Sequence, residues 1–463
     1  MRHHERTTRK GARHSCRALL LAAALAGAIA CGESDSVLSN PAPAELKPRP
    51  NVLLYIVDTL RADSLGCYGN DETATPQIDA FASEGVVYEN AYANAPWTRA
   101  SIASILTGLY PTRHLTRDRR DRLPEGLSSL AELLSEAGYT TGFVNTNPNV
   151  GSVFGFASGF DTMMELYARE KPGLVRTREL VTPSDEVTRR AIDWIDRANR
   201  PWLLVVLTID PHSPYAPPER FDRYGGDYRG NARGGRGWLE RDDLSDADKA
   251  RIASLYAGEV SFNDDSFGAL ISHLRDGEQL DRTLVIFTSD HGEEFWEHGT
   301  RGHGKTLSEA VSRVPLVLRP PSARARTTRV ERAVELVDIV PTVLALLDLP
   351  APPGLDGRNL LAAETSSSRP LFAHLEMGGR RLVSVTDPPL KLVWDLEAGT
   401  RTLIDLAGAE REIAEGEQET ERERLWAALE AIMMRSAVDR AERVEGELPA
   451  DVQDALRALG YVE

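Results

Sequence analysis

A chain of 463 residues, 41% hydrophobic and 27% charged, with a formal net charge of −16, is long enough for a large core with an appendage. Its acidity argues against a nucleic acid or an anionic lipid surface as partner. Its three cysteines, Cys16, Cys31 and Cys67, leave no disulfide framework, because the first two fall in or next to a leader segment.

In chain order, Arg2, Arg6, Arg9, Lys10, Arg13 and Arg17 precede an apolar run from Ala18 to Ala30 that is too short to span a bilayer comfortably. Residues 1–30 therefore read as an export signal. Cleavage before Cys31 would leave that cysteine free for lipidation, which predicts a periplasmic or cell-surface lipoprotein touching the membrane through its anchor only. Ordinary secretory cleavage after Ala28-Ile-Ala30 is the alternative. Residues 31–50, rich in proline, read as a tether.

Apolar runs at 51–57, 86–92, 140–144, 202–208, 283–288 and 315–318 are expected as strands. Helical patterns lie between them: "PQIDAFASEG" opened by Thr75-Pro76, "LSSLAELLSEAG" closing at Gly138, and "SDEVTRRAIDWIDRAN" after Pro183. The alternation predicts an α/β fold, a mixed and mostly parallel sheet sandwiched by helices, over residues 51–363. From 364 to 463 the short alternating runs "RLVSVTD", "KLVWDL" and "RTLIDL" predict a small antiparallel sheet, followed by charged helices.

Chemistry-bearing residues fall at the ends of these runs. Asp58 closes the first, Asp290-His291 closes the fifth, and His212 in Asp210-Pro-His212 follows the fourth. A hydroxyl-rich helix start, Thr98-Arg-Ala-Ser101, lies between Asp58 and Asp290. Ligands of open α/β sheets bind beyond the carboxyl ends of strands, so these pieces are expected to meet. Carboxylates and an imidazole from separate rigid elements suit a divalent cation. A hydroxyl beside such a cation is a competent nucleophile.

The ordered blocks "NVLLYIVDTLRADSLGCYGN", "TPQIDAFASEGVVYENAYANAPWTRASIASILTGLYPTRH", "DPHSPYAPP", "YAGEVSFNDDSFG", "TLVIFTSDHGEEFWEHG", "TLSEAVSRVPLVLR" and "LVDIVPTVLALLDLPAPPGLDGRNL" resemble the sulfatase family of the alkaline phosphatase superfamily. The resemblance implies that family's fold, and Asp58, Asp290 and His291 as metal ligands with Thr98 completing the set. It places His212 in catalysis or substrate contact, and His303 and Lys305 near the family's substrate-binding lysine. Asn147 falls in a segment where sulfatases carry a Lys and a His. Asp210, His212 and His303 together are candidates for a second metal, and His298 and His114 for the site edge.

Departures from the family pattern carry as much information. Thr98 stands where sulfatases have the cysteine that becomes formylglycine, and Ile102 where they have a supporting arginine. Thr59 replaces a second aspartate found in many members, and His291 an asparagine, which favours manganese or zinc over calcium. The expectation is a metal-dependent hydrolase or transferase of anionic esters, acting on a phosphodiester or phosphonate ester through Thr98. Its substrate would be a small anionic ester, a glycan or a lipid headgroup. A true sulfatase is the alternative within the fold, and a catalytically silent ligand-binding lipoprotein the alternative outside it.

Overall fold

The computed structural model describes residues 49–167, 182–322, 328–362, 369–438, 441–446 and 448–458. The leader, Cys31, the tether up to residue 48 and the expected boundary at 363/364 lie outside the described residues.

Nine strands form the main sheet. In chain order they are β1 (Asn51–Val57), β2 (Val86–Tyr92), β3 (Thr140–Asn145), β4 (Thr162–Glu165), β5 (Trp202–Thr208), β6 (Thr283–Ser289), β7 (Arg313–Val314), β8 (Leu316–Arg319) and β9 (Thr328–Glu335). The sheet runs β7-β2-β8-β6-β1-β5-β3-β4, with β9 paired to β2. Neighbours from β6 to β4 are parallel, and β8 is antiparallel to both β6 and β2. The central strands are continuous apolar runs because both faces are covered. Val52, Leu54 and Ile56 of β1 enter one core cluster, while Leu53, Tyr55 and Val57 enter the other.

Register does most of the positioning. Val57 pairs with Ser289 on one side and Thr208 on the other, and Leu207 pairs with Asn145. The residues that come after these four strands therefore emerge at one level of the sheet.

Four helices bear on the site and the second sheet: α1 (Thr98–Thr107); α2 (Ser184–Ile195) and α3 (Asp246–Asp276), which pack on one face of the main sheet; and α4 (Glu419–Val438). All ten residues of α1 are buried, and it ends at Gly108, whose φ of 67° is left-handed. The 31-residue α3 is not among the helices expected from sequence. Its start is a capping box between Ser245 and Asp248, and Gly277 closes it. Its inner face carries Glu259, Asn263 and Asp264 among apolar residues, and these polar positions blur the helical pattern.

The C-terminal antiparallel sheet has five strands: β10 (Leu371–Met377), β11 (Arg380–Asp387), β12 (Leu390–Asp395), β13 (Arg401–Asp405) and β14 (Arg411–Ile413). The expected runs are its three middle strands. Helix α4 packs on this sheet through Leu425 and Leu429. Both sheets belong to one compact unit from Pro48 on. Leu375 and Met377 of β10 pack against Trp97 and Ala100, which flank Thr98. The second sheet thus buttresses the helix start.

Candidate active site

Asp58, Asp290 and His291 leave β1 and β6 at the same level, and each has no exposed surface. One ligand atom from each lies within 4.8 Å of the others. His291 Nε2 is 3.7 Å from Asp58 Oδ1 and 3.4 Å from Asp290 Oδ2. Backbone N–H groups of His291 and Thr59 donate to Asp290 Oδ1 at 2.9 and 3.3 Å. Gly292 is dictated by packing, because a Cβ there would lie 2.0 Å from the Ala310 carbonyl oxygen.

Thr98, the first residue of α1, sets its Oγ1 3.4 Å from His291 Nε2. Asn147 Nδ2 donates to Asp58 Oδ2 at 2.6 Å and to Thr98 Oγ1 at 3.4 Å. The loop that carries Asn147 is braced by Asn145, whose Oδ1 accepts the Asn147 N–H, and by Asn147 Oδ1 accepting from Asn149. Arg99, wholly buried beside Thr98, fastens α1 to this loop through the Asn149 carbonyl at 2.9 Å, with its guanidinium 3.4 Å from the Phe154 ring centroid.

Burial, and then repulsion from Asp290, pushes the Asp58 carboxyl well above its usual range; burial raises Asp290 as well. Burial also holds His291 neutral, with the charge of His303 adding to the effect. Asp58 Oδ1 and Asp290 Oδ2 are buried without a hydrogen-bond partner. Two facing carboxylates with orphaned oxygens and a neutral imidazole are a costly arrangement alone, and a divalent cation would satisfy all three. The donor set fits such an ion. Backbone strain sits here too: Thr59 has φ of 61°, rare for a β-branched residue, and its carbonyl accepts from Tyr256.

His303 lies against this cluster, its ring 4.5 Å from that of His291 and 5.0 Å from that of His212. Its Nδ1 is 2.9 Å from Glu293 Oε1, and Glu293 Oε2 accepts from the Tyr215 hydroxyl at 2.9 Å. Burial alone would lower His303, but the Glu293 carboxylate outweighs it and the imidazole stands above its ordinary range. Burial of Glu293 is likewise outweighed by His303, which holds that carboxyl below its usual range. His212 is pushed down to about 4 by burial and then by the charge on His303. Of this pair, His303 is biased toward its charged form and His212 toward its neutral form. Both line a cavity of about 370 Å³, together with Tyr215 and the exposed Lys305.

Other expected participants lie elsewhere. Asp210 turns its carboxylate to the start of α2, accepting from Ser184 N at 2.8 Å and Ser184 Oγ at 2.7 Å, so it does not converge with His212 and His303. His114 is buried rather than at the site edge, between Ser104 Oγ at 3.1 Å and the Thr116 N–H at 3.1 Å. His298 pairs with Glu294 at 3.0 Å outside the cavity. Glu293 and Arg99 are functional neighbours that sequence reasoning misses. Glu293 stands three residues after Asp290, close enough to the strand end to have been a candidate partner for a site histidine; Arg99 gives no such signal.

The sulfatase family model matches residues 50–349. The chain belongs to the sulfatase family. An arylsulfatase of Clostridium perfringens (strain 13 / Type A) is 26% identical over 444 residues, covering 79% of this chain and 89% of that protein. Among solved structures, the phosphonate monoester hydrolase of Agrobacterium radiobacter superposes with a TM-score of 0.73 at 23% identity, covering 84% of this chain and 96% of that one. A protein solved in complex with its substrate D-glucosamine-2-N,6-O-disulfate gives a TM-score of 0.72 at 19% identity, covering 84% and 99%. The sulfatase-family chain is an ester hydrolase.

Proposed function

We propose that this sulfatase-family hydrolase cleaves a phosphodiester or phosphonate monoester, with Thr98 as nucleophile and Asp58, Asp290 and His291 holding one divalent cation, manganese or zinc. The observation that carries the reading is the Thr98 hydroxyl at the start of α1, 3.4 Å from His291 Nε2 and within reach of Asn147. A secondary alcohol cannot be oxidised to an aldehyde, so the side chain itself must act.

A cation held there would lower the pKa of the hydroxyl and draw charge from the ester oxygens. Thr98 Oγ1, its proton released to solvent, forms a bond to phosphorus as the bond from phosphorus to the leaving oxygen breaks. His303, kept protonated by Glu293, supplies the proton to that oxygen, and neutral His212 hydrogen-bonds the transferring group. Water then attacks phosphorus and gives one proton to His303 as the bond from phosphorus to Thr98 Oγ1 breaks, and that oxygen regains from solvent the proton it released, which restores the hydroxyl. Trp97 offers no side-chain cap, so the positive end of α1 is left for the anionic oxygens. Thr98 has no exposed surface, and His303, which lines the cavity, packs on His291, so the ester approaches Thr98 from the His303 side.

Sulfate-ester cleavage is the competing reading, supported by the likeness to an arylsulfatase. Nitrophenyl sulfate, nitrophenyl phosphate, bis-nitrophenyl phosphate and nitrophenyl phenylphosphonate, assayed side by side, separate the two. The diester or phosphonate should be fastest, and Thr98→Ser should keep part of the rate. A faster sulfate ester refutes the phosphorus reading.

A further inference from the structure

The cavity in front of His212 and His303 has a charge opposite to that of the whole molecule. It is lined by Arg119, Arg236, Arg301, Lys305 and Arg380 against a single carboxylate, Glu240, in a chain of net charge −16. Arg236 already neutralises Glu240 at 2.5 Å. Among the described residues Arg301 has one ion-pair partner, the exposed Asp242, at 4.0 Å. The other three cations have no ion-pair partner among the described residues. Lys305 Nζ donates to the Arg301 carbonyl at 2.7 Å, Arg380 donates to the Lys305 carbonyl at 2.9 Å, and Arg119 Nε is buried without any partner. The two backbone contacts hold Arg301, Lys305 and Arg380 along one wall. Burial and then the neighbouring Arg301 push the Lys305 ammonium down, with Glu293 and Glu294 opposing the shift.

The three cations without an ion-pair partner come from elements far apart in sequence. Arg119 comes from the loop between α1 and β3, Lys305 from the loop before β7, and Arg380 from the first residue of β11 in the C-terminal sheet. Unpaired cations gathered from three places repel one another, and a bound anion would relieve them. Guanidinium forks match sulfate, phosphate and carboxylate oxygens in two-point contacts.

We propose that Arg119, Lys305 and Arg380, which line this cavity, form a subsite for a second anionic substituent, so that the substrate is a polyanionic sugar ester carrying at least one negative group beyond the ester that is cleaved. The cavity holds Leu239, Met377 and the Tyr215 ring as its apolar surface, too little to seat an acyl chain, which favours a sugar over a lipid. The C-terminal sheet thereby selects the substrate rather than only buttressing α1. The subsite rests on the ester-hydrolase reading of the His303 end, but its test reads binding, which does not require turnover.

Calorimetric titration of the full chain with glucosamine 2-N,6-O-disulfate, glucosamine 6-O-sulfate and unsulfated glucosamine provides that test, with phosphatidylglycerol vesicles as a separate arm. The disulfate should bind about tenfold tighter than the monosulfate, and the margin should shrink as salt rises, as expected for partly exposed charges. Arg380→Gln and the Arg119→Gln/Arg380→Gln pair should erase the margin, and Arg380→Lys should restore part of it. Arg411→Gln removes an exposed cation of the same sheet, paired with Asp405 at 3.0 Å, and should leave the margin intact. Equal affinity for both sulfated sugars in the native chain, a margin that survives the double substitution, or preferential binding to the vesicles would each overturn the proposal. The subsite is read in binding and the nucleophile in turnover, so a failure of the nucleophile assignment would not resemble a failure of the subsite.

Discussion

Asp290 illustrates how one side chain is held for one task. Its Oδ1 accepts two backbone N–H groups while its Oδ2 stays buried and unpaired, facing His291. Asp290→Ala removes a donor from the proposed cation site, and the purified protein should carry about a tenth or less of the metal in the native chain by elemental analysis. Unchanged metal content would remove Asp290 from the ligand set. Glu293 makes a different prediction. If its carboxylate keeps His303 protonated, Glu293→Gln should shift the basic limb of the pH–rate profile down by about one unit, while activity on the acidic side persists. A purely structural role would lower the rate equally at every pH. Asp58, Thr98, His212, Asp290 and His291 are legible in the sequence because each comes after a strand or opens a helix. Glu293, Arg99, Arg119 and Arg380 are not, since what defines them is a partner or a cavity wall far along the chain, as with Glu293 and Tyr215.

At the level of elements, parallel register turns separate apolar runs into a site: Val57 opposite Ser289 and Thr208 fixes Asp58, Asp290 and Asp210 at one height, though only the first two converge. The strand runs are readable from continuous hydrophobicity. Helix α3 is not, because Glu259, Asn263 and Asp264 interrupt its inner stripe, and their reasons are tertiary: Asp264 accepts the N–H groups of Gln77 and Ile78, and Asn263 donates to Thr208. The seam between the two sheets carries a pH dependence of its own. His114, in the short helix Pro111–His114, and His374 on β10 are both buried and held down to about 3, by burial first and then by Arg117. Unfolding frees both to titrate near 6.5, so between about pH 6.5 and 3 the unfolded chain binds more protons and stability falls as pH falls. Each histidine contributes up to ~1.4 kcal/mol per pH unit in that window. Denaturant unfolding across it should show the slope, and His114→Asn should reduce it; an unaltered slope would place the acid sensitivity elsewhere.

Across the whole molecule, net charge and local charge point in opposite directions. The net charge of −16 sets up a field that repels polyanions in general, but it hides the local reversal of sign in the cavity, which only folding assembles. The basic leader, the short apolar run and the proline-rich segment support export and anchoring at Cys31; a clickable fatty acid should label the native chain in cells and not Cys31→Ser, and equal labelling of both would refute the anchor. Central to the proposed chemistry is a covalent bond to Thr98. Rapid quenching of the chain during turnover of a nitrophenyl phenylphosphonate, followed by peptide mass spectrometry, measures it most directly. The expected result is a phenylphosphonyl adduct on the peptide containing Thr98, absent from Thr98→Ala, whose turnover should fall by roughly a thousandfold. An adduct on another residue, or full turnover by Thr98→Ala, would contradict it.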